Sequence, residues 1–284
     1  MSSKDKFTVR DEAMFRGHVS DLVTASEYTV KTSGFLSPLE QRIAFDTAKS
    51  LGAEQRCFFW GGAPEAERRI LVMIPDWMTP EEPVLCGSFD EEREDILRDI
   101  ILSGADGGDI SGAVCAVEIS SEGFRDLEHK DYMGAILGLG IKRELLGDIV
   151  TSEAAPAIAF LLKSAVPFVE ENLEKAGREG VKVEIAELPE GYRIPREFEV
   201  ISDTVMSLRL DGLVKSLCKV SREDAASLVE KGEVTLNYIV ETEKDAPVSK
   251  GDVISVRGHG KFIYDGDRGV NRRGRIRFDA RKYI

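Results

Sequence analysis

The sequence predicts an α+β protein in three segments: an N-terminal α/β domain over 1–110, a ferredoxin-like βαββαβ domain over 111–190, and over 203–284 a helix pair on a small sheet. Three patterns carry this reading. Two amphipathic stretches precede two apolar runs near the start. An ordered alternation of strand-like and helix-like segments fills the middle. Near the end, the apolar period changes from about 3.6 to two, as it does where a chain passes from helix to strand.

In the first segment, Phe15, Val19, Leu22, Val23 and Val30 mark an amphipathic helix. Ser37-Pro38-Leu39-Glu40 opens a second, with Ser37 as cap, Pro38 at the first helical position and Glu40 closing a capping box. Its stripe is Leu39, Ile43 and Leu51. Strands are expected over Gln55–Trp60 and Ile70–Ile74, joined by a Gly61-Gly62 turn that carries Arg68 and Arg69. Gly87–Asp109 holds 8 acidic and 2 basic residues, with a helix expected on Ile96, Ile100 and Ile101. Its glycine-rich end lacks a following G-K-[ST], and Asp106 and Asp109 would repel phosphate, so it is not a phosphate cradle.

The middle segment reads as strand over Val114–Ile119, helix over His129–Leu139, strands over Gly147–Val150 and Ala157–Leu162, helix over Ser164–Ala176 and strand over Val181–Leu188. An RNA-recognition motif on this fold needs stacking aromatics in its central strands, and only Phe160 is offered. His129-Lys130-Asp131 reads as a helix start rather than a catalytic trio, since no Ser or Cys nucleophile motif accompanies it. Pro189, Gly191 and Pro195 make Pro189–Ser202 the expected linker.

In the last segment, Leu210, Leu213, Val214, Leu217 and Cys218 recur at helical spacing and leave Lys215 and Lys219 outward. Ser221 caps a second helix, with Asp224 three residues on and Gly232 as its stop. Alternation then sets in at Val234/Leu236, Ile254/Val256 and Ile276/Phe278. Arg273, Arg275 and Arg277 fall on one side if they lie in a strand. Together with Arg272 they form a candidate phosphate track, flanked by Gly269 and Gly274 and without interleaved aromatics.

The charge is divided unevenly. The chain carries 38 Lys+Arg against 51 Asp+Glu, a net charge of −13, whereas Asp203–Ile284 carries 16 basic against 13 acidic residues. The basic end suits a polyanion, and the acidic remainder is a candidate dock for a protein partner. With 42% hydrophobic and 31% charged residues, the composition is that of a globular protein. No apolar run approaches the roughly 20 residues a membrane span needs, and Met1-Ser-Ser-Lys-Asp-Lys opens no signal region, so a cytoplasmic protein is expected. Cys57, Cys86, Cys115 and Cys218 form no C-x-x-C pair, and His18, His129 and His259 are scattered. Neither a metal centre nor a cofactor is expected.

The order Ser207–Asp211, Ser221-Arg222, Gly232-x-Val234-x-x-Asn237, Lys250-Gly251-Asp252 and Arg257-Gly258-x-Gly260-Lys261 resembles the small RNA-binding domain of bacterial ribosomal small-subunit protein four, an S-four-like domain. The resemblance implies that the helix pair presents basic side chains to structured RNA, here Arg209, Lys215, Lys219 and Arg222, with Arg257 and Lys261 beside them. Guanidinium forks suit that task, since they grip phosphates bidentately and stack on bases. From about Phe35 to Phe278 the chain is similar to the YlmH family of bacterial S-four-like proteins. The matching residues are Gly61-Gly62 with Glu65–Arg68, His129–Gly134, Leu137–Arg143, Gly147–Ile149 and Arg272–Arg275. That implies a ribosome-associated binder of rRNA or tRNA, concerned with quality control of stalled large subunits carrying peptidyl-tRNA, and a middle domain that is only a candidate RNA binder, a role its residues do not themselves support. Lys142 and Arg143, at a helix exit, either satisfy the last carbonyls or make an auxiliary RNA contact, and Arg68 is a further candidate contact in a connection that reads first as a turn.

Two other classes compete. S-four-like domains accompany RNA-modifying enzymes, and Arg209-Leu210-Asp211 imitates the motif of a pseudouridine synthase. The Thr or Ser and Gly expected after the aspartate are missing, however, and Gly212–Leu217 continues the helix, so Asp211 is structural or positions Arg209. A cell-division or scaffold protein remains compatible with the acidic domains. No catalytic residue is assigned.

Overall fold

The computed structural model describes residues 9–79, 113–121, 123, 127–152 and 155–284. The chain forms two compact units, Met1–Pro195 and Arg196–Ile284. The acidic run expected over Gly87–Asp109, including its helix, lies outside the described residues.

In the first unit, α1 (Val9–Ala25) leads to β1 (Lys31–Leu36), α2 (Pro38–Ser50), β2 (Cys57–Trp60) and β3 (Arg69–Met73). The strands form an antiparallel sheet in the order β1-β3-β2. Strand β1 is absent from the sequence expectation, and Val30 precedes it rather than belonging to the helix. The capping box at Ser37 and Glu40 is present, with Pro38 inside the first turn, whereas Leu51 lies past the helix end and is half exposed. The run Ile70–Ile74 is fully buried because β3 faces two cores. Leu71 and Met73 pack with Val19, Ala44 and Ala48 of the helices. Ile70 and Val72 point the other way, into a cluster with Phe35, Phe58, Val114 and Phe160.

That second cluster joins the small sheet to a larger one. The strands β4 (Val114–Ser121), β5 (Leu146–Val150), β6 (Ala157–Leu162), β7 (Lys175–Ala176) and β8 (Glu179–Ile185) are arranged β5-β6-β4-β8-β7, all neighbours antiparallel. Helices α3 (His129–Gly138) and α4 (Val166–Asn172) supply the crossovers. Alternation divides the faces of β6: Ala157, Ala159 and Leu161 join the cluster containing Tyr132, Ile136, Val166 and Val169, while Phe160 turns to the N-terminal sheet. Helix α4 is shorter than the expected Ser164–Ala176. It ends before Leu173, and Gly177, at φ 59, turns β7 tightly into β8.

The second unit begins inside the expected linker. Strand β9 (Phe198–Val205) pairs along its whole length with β14 (Ile276–Tyr283), which is why this polar-looking stretch is ordered as strand. Between them come α5 (Leu210–Cys218), α6 (Arg222–Glu230), β10 (Val234–Leu236), β11 (Ile239–Val240), β12 (Val253–Val256) and β13 (Gly260–Val270). The six-stranded sheet runs β11-β10-β12-β13-β14-β9. Leu210, Leu213, Val214 and Leu217 of α5 and Ala225 and Val229 of α6 pack on Val234, Ile254, Val256, Phe262, Tyr264, Phe278 and Ala280. The helices therefore cover one face. The residues between those core positions, Ser255, Lys261, Ile263, Arg277, Asp279 and Arg281, belong to the opposite face.

Candidate nucleic-acid interface

Helix α5 starts where a loop strand clamps it: Leu210 N–H donates to the Ala246 carbonyl (3.0 Å) and Asp211 N–H to that of Lys244 (3.0 Å). Asp211 is buried, 4% exposed, yet carries a charge that must be matched. Arg209, the residue before the helix, supplies the match. Its Nε donates to Oδ1 of Asp211 at 3.2 Å and its Nη2 to Oδ2 at 3.4 Å, while Gly212 N–H donates to Oδ1 at 2.9 Å. The aspartate thus fixes the guanidinium at the helix start, as the sequence suggested.

Lys215, Lys219 and Arg222 are all exposed around the α5–α6 turn. The turn is made by Lys219 in the left-handed conformation, φ 56 and ψ 38, with its N–H and that of Val220 both bonded to the Lys215 carbonyl. Glycine is the usual choice there, because a side chain at positive φ costs about 1–2 kcal/mol. A lysine held in that geometry puts a third cation between Lys215 and Arg222. Ser221 then accepts from Asp224 N–H at 3.0 Å and starts α6.

The other expected contacts separate. Arg257 follows β12 and is exposed. Lys261 lies on the sheet face away from the helices, its Nζ 4.5 Å from the Tyr283 ring centroid and 5.2 Å from that of Tyr238. The arginines expected to line one side of a strand do not: β14 begins at Ile276, and Arg272–Arg275 belong to the turn closing the β13–β14 hairpin. There the Asn271 side chain accepts from the N–H groups of Arg273 (2.9 Å) and Arg275 (3.0 Å), and Gly274 takes φ 72. Arg275 folds inward and donates to the Thr204 carbonyl at 2.5 Å. Arg272, Arg273 and Arg277 stay exposed.

In the first unit, Arg68 and Arg143 act as braces. Arg68 donates to the carbonyls of Phe35 (2.9 Å) and Leu146 (3.2 Å), and Arg143 to that of Leu146 (2.6 Å). Asp148 accepts from the N–H groups of Glu67 (2.6 Å) and Arg68 (3.1 Å), so the loop after β2 is stitched to β5. Burial, reinforced by the neighbouring Arg68 charge, pushes the Arg143 guanidinium down to about 10. Lys142 is exposed and 3.6 Å from Glu144. Phe160, the single candidate stacking aromatic, is fully buried beneath Gly62, where a Cβ would come within 2.4 Å of its ring.

Among the described residues no three His, Cys, Asp or Glu side chains converge as metal ligands, and no helix is long and apolar enough to cross a membrane. Sequence reasoning missed Phe198, Tyr238 and Tyr283. Tyr283 follows Arg281-Lys282, an aromatic beside cations, but its partner Phe198 reaches it only through β9–β14 pairing.

A mixed α/β protein whose second unit sets a cationic helix pair against a sheet is the class these features define. Residues 109–190 match a family model described as "Putative RNA-binding domain in YlmH". Over 263 residues, 92% of this chain and 91% of the relative, the sequence is 29% identical to "Ribosome-associated protein quality control protein P2" of Bacillus subtilis (strain 168). Over these stretches the chain is similar to the YlmH family. A solved structure, "Cell division protein ylmH from Streptococcus pneumoniae", shares 20% identity with a TM-score of 0.45, covering 66% of this chain and 96% of that one.

Proposed function

We propose that this protein is a non-catalytic RNA-binding protein that works on the ribosome, holding rRNA or tRNA at the large subunit during quality control of stalled peptidyl-tRNA complexes. The observation that carries the reading is the grouping of Lys215, Lys219 and Arg222 around the α5–α6 turn, with Lys219 held at positive φ, while Arg209 stands at the other end of α5. Strain retained at an exposed charged residue is a mark of function rather than of stability. The name of the Bacillus relative supports the ribosomal setting, and the description of the matched model supports RNA as the ligand. The S-four-like domain is the C-terminal helix pair with its sheet, and the ferredoxin-like domain is the βαββαβ part of the first unit.

The rival reading as a pseudouridine synthase loses support from Asp211. Its carboxylate is buried and occupied by Arg209 and a backbone N–H, and is not presented to a substrate. The test is binding of the full chain to a structured large-subunit RNA fragment. Replacing Lys215, Lys219 and Arg222 together by Ala should cost about 1.5–3 kcal/mol per lost charge-assisted contact. Unchanged affinity in a folded triple variant would remove the helix pair from the account.

A further inference from the structure

The face of the six-stranded sheet turned away from α5 and α6 carries a line of aromatic rings and cations. Register alone brings them together. Phe198 of β9 is opposite Tyr283 of β14, and Lys261 of β13 is opposite Ser255 of β12 on that face. The Phe198 and Tyr283 rings meet edge to face with centroids 4.9 Å apart. Lys261 lies over both Tyr283 and Tyr238, and the Arg281 guanidinium lies 4.9 Å from the Phe198 centroid while also bonding Asp265. Tyr238, Lys261, Tyr283, Phe198 and Arg281 thus form a continuous row, with Lys261 between two tyrosines, the Tyr283–Phe198 ring pair in the middle and Arg281 at its end. Val200, beside Arg281 in the register, is 67% exposed, so the row borders open surface.

An independent feature marks the same place. Asn237 and Tyr238, at φ 49 and 69, make the two-residue turn between β10 and β11. Such a turn favours Asn followed by Gly, because both positions need positive φ. This chain has tyrosine at the second position, a bulky residue in a region it rarely occupies. The strain is kept, and what it yields is a ring against Lys261.

We infer that this row is a second RNA site, which stacks two or three unpaired bases of a single-stranded segment on Tyr238 and Tyr283 while Lys261 turns from the rings to an adjoining phosphate and Arg281, held by Asp265, stays against Phe198. The inference rests on the RNA-binding reading of the helix pair and adds a different kind of ligand. Helix-face cations suit folded RNA, whereas rings interleaved with cations suit unpaired strands, where every base offers a π-face. Charge also argues for RNA over protein, since cations are exchanged for phosphates without stripping a large apolar surface.

The test uses the full chain and two probes, a hexauridylate and a structured ribosomal hairpin, followed by fluorescence anisotropy. Tyr238→Gly removes the ring and relieves the turn, so it should fold at least as well as the parent. Tyr283→Leu keeps apolar bulk without the stacking face. Each should weaken hexauridylate by about tenfold and leave the hairpin unaffected. Lys215→Ala with Arg222→Ala should do the reverse. Hexauridylate binding that ignores both tyrosine variants, or is absent while the hairpin still binds, would overturn the stacking site and leave the helix-pair reading standing. Failure of the parent chain to bind either RNA would overturn both.

Discussion

Lys219 links backbone strain to RNA binding, and Lys219→Gly separates the two. At φ 56 and ψ 38 a lysine pays the steric penalty of the left-handed region, about 1–2 kcal/mol, which glycine avoids. Glycine returns about 0.5–1 kcal/mol of that through its greater freedom in the unfolded chain. Among the described residues the Lys219 ammonium has no ion-pair partner, and the two backbone bonds to Lys215 do not depend on its side chain. Lys219→Gly should therefore stabilise the second unit by up to about 1.5 kcal/mol. RNA affinity should fall at the same time, and the slope of log affinity against log salt should flatten by about 0.7–0.9, one phosphate contact. Urea unfolding of the full chain gives the first quantity and hairpin binding across a salt series the second. Lys219→Asn, which tolerates the same φ without glycine's freedom, should reproduce the binding loss. A variant that is less stable than the parent, or that binds with unchanged affinity and slope, would refute the reasoning.

Four further outcomes follow from the geometry. Arg209→Ala leaves the buried Asp211 carboxylate without its cation and should destabilise by about 1–3 kcal/mol, most of it recovered by adding Asp211→Asn, in urea unfolding. Gly62→Ala forces a Cβ onto Phe160 and Val114 at φ 95 and should cost on the order of 3 kcal/mol of the first unit's stability in the same assay. Burial pushes the Cys218 thiol up to about 11, against the opposing pull of Lys282. Its alkylation, followed by peptide mass spectrometry, should be slow at neutral pH and keep accelerating up to that pH, whereas a plateau near 9 would contradict this. Replacing Arg272, Arg273 and Arg277 by Ala should flatten the salt slope without loss of stability, while Arg275→Ala should destabilise, because the Arg275 side chain donates to the Thr204 carbonyl.

What could be read in the sequence was whatever one short stretch decides by itself. The stripe Leu210, Leu213, Val214 and Leu217, the box at Ser37 and Glu40, and the alternations in β10, β12 and β14 all reflect the local period, and the structure has them. Elements decided by a distant partner were hidden. Strand β1, Lys-Thr-Ser-Gly-Phe-Leu, has too few apolar residues to announce itself and exists because β3 pairs with it. Strand β9 owes its order to β14 in the same way. The basic residues around α5 were legible because helical spacing puts them outward. Arg68 and Arg143 were not, since only the carbonyls of Phe35 and Leu146 show that their donors are spent on bracing. Nor could any local window reveal the ring row, which gathers Phe198, Tyr238, Lys261 and Tyr283 from four parts of the chain.

The central claim is that RNA is held by the second unit. Ultraviolet crosslinking of the full chain to RNA of the large ribosomal subunit, with mass spectrometry of the crosslinked peptides, tests it most directly. The account predicts crosslinks on peptides spanning Arg209–Arg222 and on those carrying Tyr238 and Tyr283. Crosslinks confined to residues 109–190, the segment matched by the family model, would contradict it.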